Sequence, residues 1–157
     1  MYKEWCIFCA IAQHAFDTTA YILESETHCA FLSISPNTEW MTVVIPKAHF
    51  WSDCMHLPDE ELAALMTAAK SAATVLENAY DEVWRIGIVM EWTGVDHAHV
   101  KLYPMHWTRW INDWEWTPSE AHGTERFEQY PWYLMTREWE RVPDEELLAL
   151  AERMRDA

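Results

Sequence analysis

The segment Asp96-His97-Ala98-His99-Val100-Lys101-Leu102-Tyr103-Pro104-Met105-His106 holds the densest set of chemically useful side chains in the sequence. Side chains alternate along a strand, so as a strand it would put His97, His99 and Lys101 on one face and Ala98, Val100 and Leu102 on the other. Two imidazoles and an ammonium in a row suit chemistry at phosphorus. A neutral imidazole attacks phosphorus and leaves again readily, and nearby cationic donors offset the charge that develops on the phosphate oxygens. The competing reading is an exposed polar strand face, which rarely needs two histidines. His106 adds another imidazole beyond Pro104-Met105, or else a solvent-facing loop residue.

A second chemical feature lies at the start, where Cys6 and Cys9 have the C-x-x-C spacing of half a zinc site. The same spacing also suits a redox pair, although no βαβ pattern follows as a thioredoxin-like reading requires. Cys29 and Cys54 stand alone among apolar or loop residues and read as buried small hydrophobes. His14, His28 and His56 read as surface or core-edge residues.

A sheet must carry the histidine row, and the sequence offers one. Strand candidates are Thr19–Glu24, Ala30–Ser33, Met41–Pro46, Arg85–Glu91 and His97–Pro104, with the β-branched run Thr42-Val43-Val44-Ile45 stopped by Pro46 the clearest. Leu57-Pro58-Asp59-Glu60-Glu61 opens a helix, because proline suits the first turn and acids complement the positive end of the dipole. Leu62, Leu65, Met66, Ala69, Val75 and Leu76 continue it as an apolar stripe to about Tyr80. Val142-Pro143-Asp144-Glu145-Glu146 repeats that start signal before a C-terminal helix over 143–156. Between the two helices' territories, 107–141 is polar and aromatic without a clear period, and reads as a long irregular excursion. This order of elements implies an α+β domain spanning 1–157.

The composition narrows the partners. The 157 residues are 50% apolar and 24% charged, which excludes a disordered or collagen-like chain. With 26 acids against 11 bases the net charge is −15, repelling nucleic acid backbones and anionic membranes, so phosphate chemistry needs a local basic island. Lys70 interrupts the most apolar helical run well short of the roughly 18 residues a bilayer span needs. The start has no hydrophobic signal core, so the expected location is the cytoplasm.

His97-x-His99-x-Lys101-x-x-Pro104 resembles the motif of the histidine-triad (HIT) family, which usually reads His-x-His-x-His. The resemblance extends from Cys6-Ile7-Phe8-Cys9-Ala10-Ile11 through Thr42–Pro46, with Lys47 and His49 following, to about Met105. It implies a five-stranded antiparallel sheet with two main helices, continued across a homodimer. It further implies a hydrolase or transferase that cleaves a nucleotide phosphoanhydride, as in dinucleoside polyphosphates, or a phosphoramidate. In that reading His99 becomes covalently nucleotidylated and His97 orients the site. Lys101 replaces the third, phosphate-contacting histidine, which keeps a cationic donor but loses the planar, titrating ring. Thr93 stands where the family commonly has glutamine, and Ser33 where it has a ribose-binding Asp or Asn; with Lys101 and His106 these make up the expected substrate contacts. Some HIT-like proteins complete the C-x-x-C half-site with histidines at positions matching His49 and His97, and two thiolates with two imidazoles suit a closed, structural zinc site. A nucleotide-binding or zinc-stabilised regulatory module with little turnover is the alternative.

Eleven tryptophans against three glycines is abnormal, since ordinary usage of roughly 7% predicts about eleven glycines. Trp40, Trp92, Trp107 and Trp132 fall in turns where relatives would carry glycine, and Trp51, Trp84, Trp110 and Trp139 are similar cases. A genetic code that reads UGA as glycine, conceptually translated with UGA as tryptophan, explains the excess; deliberate aromatic loops are the alternative. Codon sequencing should find UGA at Trp40, Trp92 and Trp107, and UGG there ends the recoding explanation.

Overall fold

The β-branched run forms the centre of a sheet. In the computed structural model, which describes residues 2–106, β3 (Thr42–Pro46) is buried along its whole length. It pairs antiparallel on one side with β2 (His28–Leu32), in the register Cys29↔Ile45 and Phe31↔Val43. On its other side lies β5 (Val100–Met105), with Thr42↔Leu102 and Val44↔Val100. β1 (Tyr21–Glu24) flanks β2, and β4 (Arg85–Val89) flanks β5, giving the antiparallel order β1-β2-β3-β5-β4. The five expected strands are therefore present. The excursion at 107–141, the helix at 143–156 and Trp107, Trp110, Trp132 and Trp139 lie outside the described residues.

Strand alternation gives the sheet two apolar faces. One receives the long helix α2 (Asp59–Ala79), whose buried residues Leu65, Ala69, Ala72 and Leu76 recur at helical spacing. They pack on Ala30, Val44, Ala98, Val100 and Leu102. Pro58 immediately precedes this helix and Asp59, Glu60 and Glu61 fill its first turn, matching the start signal. The opposite face presents Cys29, Phe31, Val43 and Ile45 to Phe8, Ile11 and Ala12 of a short helix, α1 (Ile7–Ala12). No periodicity in the sequence marks α1, which has only six residues.

The histidine strand is shorter than its alternation suggests. β5 begins at Val100, so His97 and His99 lie on its approach. Pro46 ends β3 and has no N–H to extend a ladder. The approach is held instead by the loop after β3: Ala98 N–H donates to the Phe50 carbonyl (2.9 Å), and the Asp96 carboxylate accepts from the Ser52 N–H and hydroxyl (both 3.1 Å). The alternation nevertheless survives, since Ala98 packs on the α2 side while His97 and His99 meet Phe8 of α1.

Trp40 adopts a left-handed backbone (φ 62°), a conformation that favours glycine, and its ring stacks on Tyr80. Trp51, Trp84 and Trp92 do not share that conformation, and the turn beside Trp92 puts its left-handed residue at Gly94 (φ 93°). The backbone thus supplies a reason for glycine at Trp40 but not at the other three described positions.

His106, just past β5, clamps two connections. It hydrogen-bonds the Glu39 carbonyl (3.2 Å) and the Glu82 carboxylate (3.1 Å), and both contacts raise its pKa above the ordinary histidine value. A group whose folded pKa is raised stabilises fully below its unfolded pKa, and that stabilisation fades as pH climbs through the folded value. His106→Ala should therefore lower the urea midpoint more at pH 5.5 than at pH 8.5; equal losses at both values would contradict the clamp.

Candidate functional site

His97 is wholly buried and committed at both ring nitrogens. Its Nε2–H donates to the Pro46 carbonyl at the end of β3 (2.9 Å), which leaves Nδ1 as a lone pair. That lone pair faces two thiols, Cys6 Sγ at 3.4 Å and Cys9 Sγ at 3.6 Å. Cys9 Sγ also lies 3.4 Å from His49 Nδ1. The four donor atoms of Cys6, Cys9, His49 and His97 all fall within 4.8 Å of one another.

These distances fit a tetrahedral ion. Metal–sulfur and metal–nitrogen bonds of zinc-like length set S and N about 3.6 Å apart at a tetrahedral centre. The Pro46 carbonyl supplies the outer contact that metal-bound histidines usually make through their second nitrogen. Burial pushes the Cys9 thiol's pKa up, lowers that of His49 and takes His97 down to about 4, so the imidazoles are neutral donors. The four side chains come from three places in the fold. Cys6 precedes α1, Cys9 lies within it, His49 follows β3 and His97 precedes β5.

His99 is also buried, beside the ring of Phe8 (centroids 5.5 Å). Its Nδ1–H donates to the carbonyl of His97 at 2.7 Å, so Nε2 carries the free lone pair. Burial lowers its pKa and keeps the ring neutral, the form in which imidazole is a nucleophile. The carbonyl of His99 itself is approached by the buried Cys54 thiol (3.7 Å).

Lys101 shares the His99 face, because it pairs with Val43, a residue of the α1-side cluster. Its ammonium is not free: it forms a half-buried ion pair with Glu91. Glu91 had no motif to mark it and becomes visible only through the pairing of β4 with β5. Ser33 follows Phe31 by two residues, so alternation puts it on the same sheet face, and its hydroxyl accepts from Ser35 N–H (3.2 Å). Thr93 lies half-buried in the connection leading to His97. His106 is not brought to this group. It sits at the far end of β5, roughly 23 Å of strand from His99, with both ring nitrogens engaged by Glu39 and Glu82.

The remaining histidines and cysteines have ordinary roles. Cys29 and Cys54 are buried free thiols, as expected. His14 pairs with Glu24 and His56 with Asp53 at the surface, whereas His28 is buried at the start of β2 rather than at the core edge.

Residues 17–106 match the family model of the HIT domain. Over 100 residues the chain is 32% identical to adenosine 5'-monophosphoramidase of Saccharomyces cerevisiae, covering 63% of this chain and 61% of the yeast protein. The match thus spans less than two thirds of that relative. An uncharacterized HIT-like protein of Methanocaldococcus jannaschii is 30% identical over 105 residues, with 64% of this chain and 79% of the relative covered. A Streptococcus mutans crystal structure superposes with TM-score 0.67 at 26% identity, over 98% of this chain and 85% of that one. A histidine triad nucleotide-binding protein from Candida albicans shares the fold, with TM-score 0.62 at 21% identity over 96% and 95% of the two chains.

Cobalt(II) titration tests the cluster. One equivalent per chain should develop thiolate charge-transfer and tetrahedral ligand-field bands, and the Cys6→Ser, Cys9→Ser double variant should lose both metal and thermal stability together. Full metal uptake by that variant would remove the two cysteines from the ligand set.

Proposed function

The chain belongs to the HIT domain family, and from that premise we propose that it is a nucleotidyl hydrolase acting through His99. The substrate is a nucleotide bearing a phosphoanhydride or phosphoramidate bond. His99 Nε2 attacks the phosphorus bonded to the nucleoside; the P–O or P–N bond to the leaving group breaks as the N–P bond forms. The leaving group departs with the electron pair and takes a proton from solvent. Water then attacks the nucleotidyl-His99 adduct, releasing a nucleoside monophosphate and restoring the neutral ring.

One observation carries this reading: the hydrogen bond from His99 Nδ1–H to the His97 carbonyl, which reserves Nε2 for phosphorus. Lys101 is assigned to the phosphate oxygens as a point charge, and Ser33 and Thr93 to the nucleoside side of the substrate. The phosphoramidase activity of the yeast relative supports the reaction class. Cys6, Cys9, His49 and His97 would hold a zinc ion. With four protein ligands such an ion is a structural cross-link, joining the N-terminal segment to β3 and the triad segment.

The same proposal includes a cytoplasmic homodimer. Four free cysteines suit a reducing compartment, and no described helix is long and apolar enough to cross a membrane. Among the described residues β4 is an edge strand on which a partner's strand can add, with Ile88 half exposed. The single domain over 1–157 belongs to the same proposal. The engagement of Lys101 by Glu91 is the observation that favours the second reading, a nucleotide-binding module with little turnover.

Steady-state assays with adenosine phosphoramidate and dinucleoside polyphosphates distinguish them. The parent chain should turn over, and His99→Ala should lose at least about 10³-fold in kcat along with the acid-labile mass adduct. Lys101→Ala should slow nucleotidylation roughly 10²–10³-fold, and Lys101→His should retain activity. A His99→Ala variant as active as its parent would overturn the proposal.

A further inference from the structure

The segment just past β4 supplies an acid, Glu91, that pairs with Lys101, two residues from His99. The ladder runs Arg85↔Met105, Gly87↔Tyr103, Val89↔Lys101. Glu91 lies two residues past Val89, just beyond the end of β4, and so is diagonal to Lys101, while the ladder itself stops short of His99. Directly opposed residues on neighbouring strands have Cβ atoms about 4.5–5.5 Å apart, and diagonal neighbours are within reach of long side chains. The observed ion pair between Glu91 and Lys101 is that diagonal contact, and its carboxylate is largely buried. Lys101 and Glu91 are also the charged side chains whose fields bear on the His99 ring.

The local charge matters because, among the described residues, Lys101 is the cation whose field reaches the His99 ring. The third triad position, the sole cation two strand steps from His99 among the described residues, is neutralised by Glu91 in a chain of net charge −15. A leaving group that departs as a polyphosphate would carry several negative charges into this neighbourhood. An amine departs neutral or, once protonated, as a cation that a carboxylate favours.

We propose that Glu91 sets the leaving-group specificity of this site, so that the chain acts on nucleotidyl amines and discriminates against nucleotidyl polyphosphates. The assignment rests on the His99 nucleotidylation reading and adds the substrate class to it. Glu91 acts in two ways. It repels an anionic leaving group directly, and it holds the Lys101 ammonium, so that less cationic charge is available for a phosphate chain than a free lysine would offer. In the nucleotidyl-His99 adduct the ring nitrogen bonded to phosphorus leaves the imidazole positively charged, and the Glu91 carboxylate opposes that charge as well.

The test compares two substrates that deliver the same adenylyl group, adenosine 5'-phosphoramidate and diadenosine tetraphosphate, so that only the leaving group differs. The full chain should prefer the phosphoramidate in kcat/KM by roughly a hundredfold or more, and Glu91→Gln should shrink that preference at least about tenfold, chiefly by raising activity on the tetraphosphate. A measurement on the parent alone guards against misfolding of the variant. Raising ionic strength from 10 to 500 mM should erode the preference, because salt screens the charges of an approaching polyphosphate before they are buried. A parent that cleaves both substrates, with a preference unmoved by Glu91→Gln and by salt, overturns the assignment of Glu91 alone. A parent that cleaves neither and forms no adduct at His99 overturns the nucleotidylation reading beneath it.

Discussion

The imidazole of His97 is the joint on which this site depends. Its buried ring donates from Nε2 to the end of β3 and turns Nδ1 to the thiols of Cys6 and Cys9, while its backbone carbonyl accepts from His99. One residue therefore ties the N-terminal helix, the central strand and the His99-bearing segment together. A ring buried this deeply must stay neutral, because ionising it without a counter-charge in a desolvated position is expensive. Its pKa, pushed down by burial to about 4, expresses that constraint.

The division of labour between adjacent histidines follows. His97 faces the cysteines and His99 lies two residues on, on the same side of the chain, so a single backbone carbonyl can orient the second ring. The tautomers of the two are opposite: Nε2 protonated in His97, Nδ1 protonated in His99. Under the α2 side, Ala98 and Val100 fill the core with small side chains that let the segment approach the sheet closely. The segment's packing and its chemistry are thus two faces of one alternation.

Much of this was legible in residue order. Thr42–Pro46 reads as a strand because it is β-branched and ends in proline, and the α2 stripe reads from its spacing. The histidine row keeps its facing even though β5 starts only at Val100, since the approach is pinned by Phe50 and Ser52 rather than by a ladder. Those tethers were not legible, because they join residues more than forty positions apart through side-chain and loop contacts. Six-residue α1 has too short a period to announce itself. Glu91 sits in no motif, and its pairing with Lys101 follows only from where β4 meets β5. His106 reads from the sequence as a second imidazole or a loop residue; strand length carries it to the far end of β5, where Glu39 and Glu82 hold it.

The central claim is that the two buried rings hold opposite tautomers, leaving His99 Nε2 bare. Long-range ¹H–¹⁵N correlation spectra of the chain labelled at histidine ring nitrogens read each tautomer directly at neutral pH. The account predicts a neutral His99 protonated at Nδ1 and a neutral His97 protonated at Nε2. A His99 found protonated at Nε2, or carried as an imidazolium, would contradict it.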